Sequence, residues 1–348
     1  MTKKIFVHLG LPKTASTTLQ MNFFTKLKKT NYIGTNKLKK NSEFFTDLDN
    51  YISFNKNFNE NEIKLLKKKF LAIFNNSKKN LLLSQETWIH PTNYFSRSLK
   101  SFNIKKSGRY YIFSQWKKLK RLDDFLKTLN VNYQYFLVKR NSIDGLLSLY
   151  FQIHSRIIDI FGNEYKNIDF FINKILDCRE KKQNFDGELI TDTYNIKKII
   201  FFYECVLKKN LEVLDYDNLQ QNKNLFVKKL LNILDESDDE DALNIYSSYF
   251  NEKLNYKNKK KEYEFDKNMT KISFRLKFPI LIYLVRYIPK PIYKSILNLV
   301  HFFYKNQKIN INLSQNLKKK LIISNEKLYN DEAFAKYFKN IQYIHDQE

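Results

Sequence analysis

Ile5-Phe6-Val7-His8-Leu9-Gly10-Leu11-Pro12-Lys13-Thr14-Ala15-Ser16-Thr17-Thr18 is the stretch from which the fold can be read. A short apolar run closed by Gly10 is the pattern of a strand buried on both faces of a parallel sheet. After the Pro12 turn, Leu19, Phe23, Phe24 and Leu27 recur at helical spacing. Strand, loop and helix therefore follow one another within the first thirty or so residues. A helix amino end presents unpaired N–H groups and the positive end of its dipole, which suits a bound phosphate. Thr14, Ser16, Thr17 and Thr18 add small hydroxyl donors there, and Lys13 adds a full positive charge.

The same alternation continues outward. Ile63, Leu66, Phe70 and Phe74 mark a helix ahead of a second buried strand, Asn80 to Ser84. Tyr110 to Phe113 reads as a third strand. Leu119, Leu122, Leu126 and Leu129 form a helical stripe before the strand Tyr133 to Val138. A helix begins near Ile143, and another, through Ile199, Tyr203 and Val206, precedes a last short strand, Leu211 to Leu214. Strands alternating with helices imply right-handed crossovers and a parallel sheet, hence an α/β class with helices flanking a central sheet. Residues 1–255 carry this pattern. Residues 256–348 read as a basic, mostly helical extension. The acidic run Asp235 to Asp241 reads as a solvated turn.

Composition sets the outer limits. At 348 residues with 43% hydrophobic and 16% aromatic content, the chain is globular and not disordered. Two cysteines, Cys178 and Cys205, with no C-x-x-C pair, give neither a disulfide framework nor a thiolate metal site, and fit a reducing, cytoplasmic setting. The net charge of +25 tracks a chain crowded with Lys, Asn, Ile, Phe and Tyr; it permits polyanionic partners without choosing one. Lys3 and Lys4 before a five-residue apolar run do not make a signal peptide. The apolar stretch 278–304 is broken by Pro279, Pro289, Pro291 and several Lys and Arg residues, so it is no spanning helix. Two readings of its surroundings stay open: a helical unit packed on the core, or docking of 275–305 on an anionic membrane surface, peripheral to the cytoplasmic face.

Against the ATP-type P-loop, G-x-x-x-x-G-K-[ST], aligned on Gly10, the second Gly falls at Ala15 and the Lys at Ser16. The lysine sits three residues earlier, at Lys13, which disfavours a kinase-like enzyme. Glu86, just past the Asn80 strand in Ser84-Gln85-Glu86-Thr87-Trp88, stands where parallel sheets gather ligands and is a candidate general base. His8 and His90 rank behind it. A Glu that merely caps the next helix is the competing structural reading.

The loop His8, Gly10, Pro12, Lys13, Thr14, Ala15, Ser16 and Thr17 closely resembles the 5′-phosphosulfate loop of sulfotransferases that use 3′-phosphoadenosine 5′-phosphosulfate (PAPS), in particular bacterial, carbohydrate-type members. Many relatives have Gly where Ala15 stands. The resemblance implies a P-loop-like three-layer fold and a second anchor, an Arg at a strand end with a Ser eight residues on, holding the 3′-phosphate. Arg140 and Ser148 match it. Relatives often have Pro where Ser142 stands. It further implies PAPS as sulfuryl donor bound by Gly10, Pro12, Lys13, Thr14, Ala15, Ser16, Thr17 and Thr18 with Arg140 and Ser148. Lys13 would stabilise the leaving phosphate and Glu86 would act as base, with no metal. The S-x-E around Glu86 and the Leu211 to Leu219 stretch, with Asp217 where relatives have Glu, match more weakly; the family's R-K-G segment is not recognisable. The acceptor implied is a hydroxyl on a bacterial surface glycan or lipid-linked sugar, with no nucleic acid expected. A basic protein binding polyanions or nucleic acid without catalysis is the alternative of a different class.

Overall fold

The computed structural model describes residues 3–11, 14, 16–34, 42–53, 58–89, 115–181, 193–236, 240–248, 288–304 and 313–327. Strand β1 (Ile5–Leu9) is buried at all five positions. It lies between β3 (Asn80–Gln85) and β4 (Tyr133–Lys139). β2 (Thr30–Gly34) and β5 (Leu211–Asp215) close the sheet in the order β2-β3-β1-β4-β5, and every pairing is parallel. The chain fills one side of β1 with β3 and β2, then crosses to the other side for β4 and β5. The winding therefore reverses about β1, and in open α/β sheets ligands gather in the crevice at the carboxyl ends beside that reversal.

Alternation along the strands divides the core in two, because successive side chains leave a strand on opposite faces. Ile5, Val7 and Leu9 of β1, with Leu81 and Leu83 of β3 and Tyr135 and Leu137 of β4, face one layer. That layer comprises α2 (Ser42–Ser53), α3 (Glu60–Asn76), α4 (Gln115–Lys127) and α7, which runs as an α-helix over Ile196–Phe201 and a π-helix over Phe202–Leu207. Phe6, Leu82, Phe136 and Val138 face the other layer. It is built from α1, α8 (Tyr216–Gln221), α9 (Lys223–Ile233) and α10 (Glu240–Ser248). α1 joins an α-turn (Ser16–Thr18), a π-turn (Leu19–Phe23) and a 3₁₀ turn (Phe24–Lys26).

A third cluster joins α5 (Ser142–Phe161) to α6 (Ile168–Glu180). Leu313, Leu317 and Leu321 pack into the same cluster, so α12 (Gln315–Lys327) is fixed to this part of the molecule.

Local signals explain several element starts. Asn59 and Glu62 form a reciprocal capping box on α3. The Asn141 side chain, next after Arg140, accepts from the N–H groups of Ile143 and Asp144 and so caps the start of α5. Asp215 does the same for α8 through Asp217 N–H, while its other oxygen meets Lys139 at 2.7 Å.

Two features depart from the sequence reading. The edge strand β2 was not foreseen: Thr-Asn-Tyr-Ile-Gly is too short and mixed to signal a strand alone, and it is extended by pairing with β3. The acidic run at 235 is not simply a solvated turn. Glu236 is buried and accepts from the N–H groups of Lys28 and Lys29, at 3.2 and 2.8 Å, satisfying the chain as it enters β2. Asp235, in a left-handed conformation, pairs with Lys4 at 2.9 Å. The strand expected at Tyr110 to Phe113, residues 249–287 and His90 lie outside the described residues.

Candidate active site

Three adjacent strands end at one edge of the sheet. The register sets Leu9 beside Gln85 on one side and beside Leu137 on the other. Gly10, Glu86 and Arg140, each a residue or so past its strand, are thereby brought to the same rim, although the sequence spreads them over 130 positions.

Gly10 lies at a close approach that favours glycine. A Cβ there would stand 3.2 Å from Glu86 Cα and 3.5 Å from its backbone nitrogen, and backbone gives way poorly. Glu86 opens a 3₁₀ turn, Glu86–Trp88, and is half-buried; it does not cap a longer helix. Ser16 Oγ donates to Glu86 Oε1 at 3.1 Å, tying the first turn of α1 to this carboxylate.

Two of the loop hydroxyls, those of Thr14 and Ser16, are engaged within the protein. Thr14 is fully buried and donates to Leu11 O at 2.8 Å, closing the turn, and Ser16 is turned to Glu86. Thr18 is half-buried, and Thr17 lies in the α-turn with it. Pro12, Lys13 and Ala15 lie outside the described residues.

Arg140 precedes α5 and Ser148 lies in its second turn, both half-buried. Arg140 leans toward the Tyr216 ring, 5.8 Å from guanidinium carbon to ring centre. Tyr194, which sequence reading did not single out, feels the charge of both Arg140 and Glu86. It is almost wholly buried, and its ring lies against Gly145 so closely that a Cβ there would fall 2.4 Å from two ring carbons. Burial pushes the phenol well above its ordinary value; Arg140 opposes this shift and Glu86 adds to it, so all three groups share one electrostatic neighbourhood. No local pattern marks Tyr194. Its neighbour Asn195 carries the visible signal, accepting from Lys198 N–H as the cap of α7.

His8 lies beneath the site. Its ring sits between Phe24 and Phe136, and Nδ1 meets Ser84 Oγ at 2.7 Å. Gln20 of α1 donates to the same Ser84 oxygen at 2.9 Å. Full burial holds the imidazole down at about 3, so it is neutral near pH 7. His8 is thus a core residue joining β1, β3 and α1. Among the described residues no three His, Cys, Asp or Glu side chains are grouped as metal ligands.

No family model matches the chain, and comparison with characterised protein sequences returns no match. Two solved structures similar to this chain are sulfotransferases. One, from Alicyclobacillus acidocaldarius, is 11% identical with a TM-score of 0.38 over 69% of this chain and 83% of its own. The other, a sulfotransferase domain from the curacin biosynthetic pathway, is 10% identical with a TM-score of 0.35 over 71% of this chain and 78% of its own. At such identity the chemistry must be read from the residues at the rim.

Proposed function

We propose that this chain is a sulfotransferase that moves the sulfuryl group of PAPS to an acceptor hydroxyl. The observation that carries the reading is the meeting of Gly10, Ser16, Glu86 and Arg140 at the carboxyl rim of three neighbouring strands. A phosphate loop, a half-buried arginine and a carboxylate suit a donor with two phosphate sites and an acceptor that must lose a proton. The P-loop kinase reading lacks its lysine at Ser16.

In this reading residues 10–18 and Lys13 hold the 5′ end of the carrier, and Arg140 with Ser148 holds the 3′-phosphate through charge-assisted bonds. PAPS supplies an activated sulfuryl group whose leaving group is a phosphate. Glu86 takes the proton of the acceptor hydroxyl as its oxygen forms the new bond to sulfur. The bond from sulfur to the phosphate oxygen breaks, and Lys13 stabilises the charge that gathers there. The products are a sulfate ester and 3′-phosphoadenosine 5′-phosphate (PAP).

The acceptor in this reading is a sugar hydroxyl on a surface glycan or a lipid-linked precursor. A supporting feature is α11 (Lys290–Tyr304), where Ile292 and Leu299 stand 54% and 61% exposed and, with Ile296, follow one helical face. With the chain's charge of +25, such a face suits peripheral docking on anionic lipid. Among the described residues no helix is long and apolar enough to cross a membrane.

The test is thermal stabilisation by PAP set against ATP with Mg²⁺, followed by transfer of radiolabelled sulfate from PAPS onto glycan extracts. PAP should stabilise and ATP should not. Glu86→Gln should lose transfer by about 10²–10⁴-fold while still binding PAP, and Lys13→Ala should lose transfer. Absence of any PAP effect overturns the reading. Full activity in Glu86→Gln overturns the assignment of the base.

A further inference from the structure

A lysine with no exposed surface is an expensive core residue, because desolvating an ammonium costs far more than burying a Leu or Met of similar volume. Lys118 of α4 is such a residue. Its Nζ donates to the carbonyl oxygen of Thr87, the residue after Glu86. Asp49, from α2, supports the same turn on either side of Glu86. Its Oδ1 accepts from Trp88 Nε1 at 2.9 Å, and its carboxylate also bonds the side chain of Gln85. Ser53 donates to that oxygen too, at 3.0 Å, anchoring the carboxylate to its own helix. Asp49 and Lys118 attract each other.

Gln85, Thr87 and Trp88 are thus held by two helices of one layer, while Gly10, at the end of the neighbouring strand, abuts the Glu86 backbone. The Glu86 carboxylate reaches Ser16. We propose that Lys118 and Asp49 are positioning residues for Glu86, clamping the 3₁₀ turn that carries its carboxylate. The proposal rests on the reading of Glu86 as the base. Burial, which lowers Lys118 to about 7, and the opposing pull of Asp49 agree with a pair kept at a cost to packing. A purely structural role for the pair would leave chemistry unchanged once the fold is intact. A positioning role predicts loss of turnover without loss of donor binding, since misplacing a reacting group by about 1 Å costs about 10²-fold.

The experiment compares the wild-type chain with Lys118→Met, an uncharged chain of similar length, and Asp49→Asn, which keeps the shape and an acceptor for Trp88. Sulfate transfer from radiolabelled PAPS onto glycan extract, stabilisation by PAP, and amide hydrogen exchange across 84–89 are measured on each. Lys118→Met should lower kcat by about 10²-fold and Asp49→Asn by about 10-fold. KM for PAPS should stay within about two-fold, and exchange across 84–89 should rise. Unchanged kcat or unchanged exchange in a folded variant overturns the proposal. If Lys118→Met does not fold, Asp49→Asn decides. If the wild-type chain transfers no sulfate, the functional reading fails on that result, and the exchange measurement alone still decides whether the pair holds the turn.

Discussion

His8 illustrates what one buried side chain does to the behaviour of the whole chain. Its imidazole is held at about 3, against about 6.5 when exposed. Between those values the unfolded chain binds a proton that the folded chain refuses, so stability rises with pH across the window. His8 should therefore cost about 1.4 kcal/mol for each pH unit lowered from 6 to 4. Urea unfolding of wild type and His8→Phe at a series of pH values measures this: the variant should show a shallower slope below pH 6. Equal slopes would mean that His8 is already charged, or reached by water, in the folded state. His8, inside β1, is sealed between two phenylalanine rings, while Glu86, just past the paired strand β3, faces the rim.

The first turn of α5 packs on Tyr194, whose phenol shares its electrostatic surroundings with Arg140 and Glu86. Asn141 starts the helix and the Tyr194 ring lies close against Gly145. A methyl at 145 favours helix by about 1 kcal/mol, but intrusion into a packed ring costs about 1–3 kcal/mol, so packing prevails. Gly145→Ala should lower thermal stability and weaken PAP binding by about 10-fold through displacement of Tyr194; calorimetric titration with PAP is the measurement. Retained affinity would show that the packing of Tyr194 on Gly145 has no part in PAP binding. By contrast, the β2 edge is held by contacts remote from the rim, with Glu236 serving Lys28 and Lys29, and substitutions there should act on stability without touching affinity.

Across the whole molecule, charge and the exposed face of α11 meet in one prediction. A chain of +25 with Ile292 and Leu299 facing outward should co-sediment with vesicles containing anionic lipid and not with neutral ones. Binding should fall in about 1 M salt, where screening shortens electrostatic reach to roughly 3 Å. Ile292→Asp with Leu299→Asp should weaken it further while leaving PAP stabilisation intact. Failure of wild type to pellet with anionic vesicles removes docking from the functional reading and leaves the transfer chemistry unaffected.

The sequence by itself determined the alternation of strands and helices and the burial of β1, because apolar periodicity is a local property of the chain. It also marked Gly10 and Glu86, since a glycine closing a strand and a strand-end carboxylate leave local signals, whereas Arg140 came from the resemblance to PAPS-dependent sulfotransferases. It did not reveal β2, the burial of Glu236, or the parts played by Tyr194, Asp49 and Lys118. Each of these acts on groups far away in sequence: Lys118 on a carbonyl 31 residues back, Glu236 on N–H groups more than 200 residues back. Only the parallel register, which sets the strand ends side by side, decides which distant side chains share a rim. Register is a property of pairing between segments, and no single segment carries it.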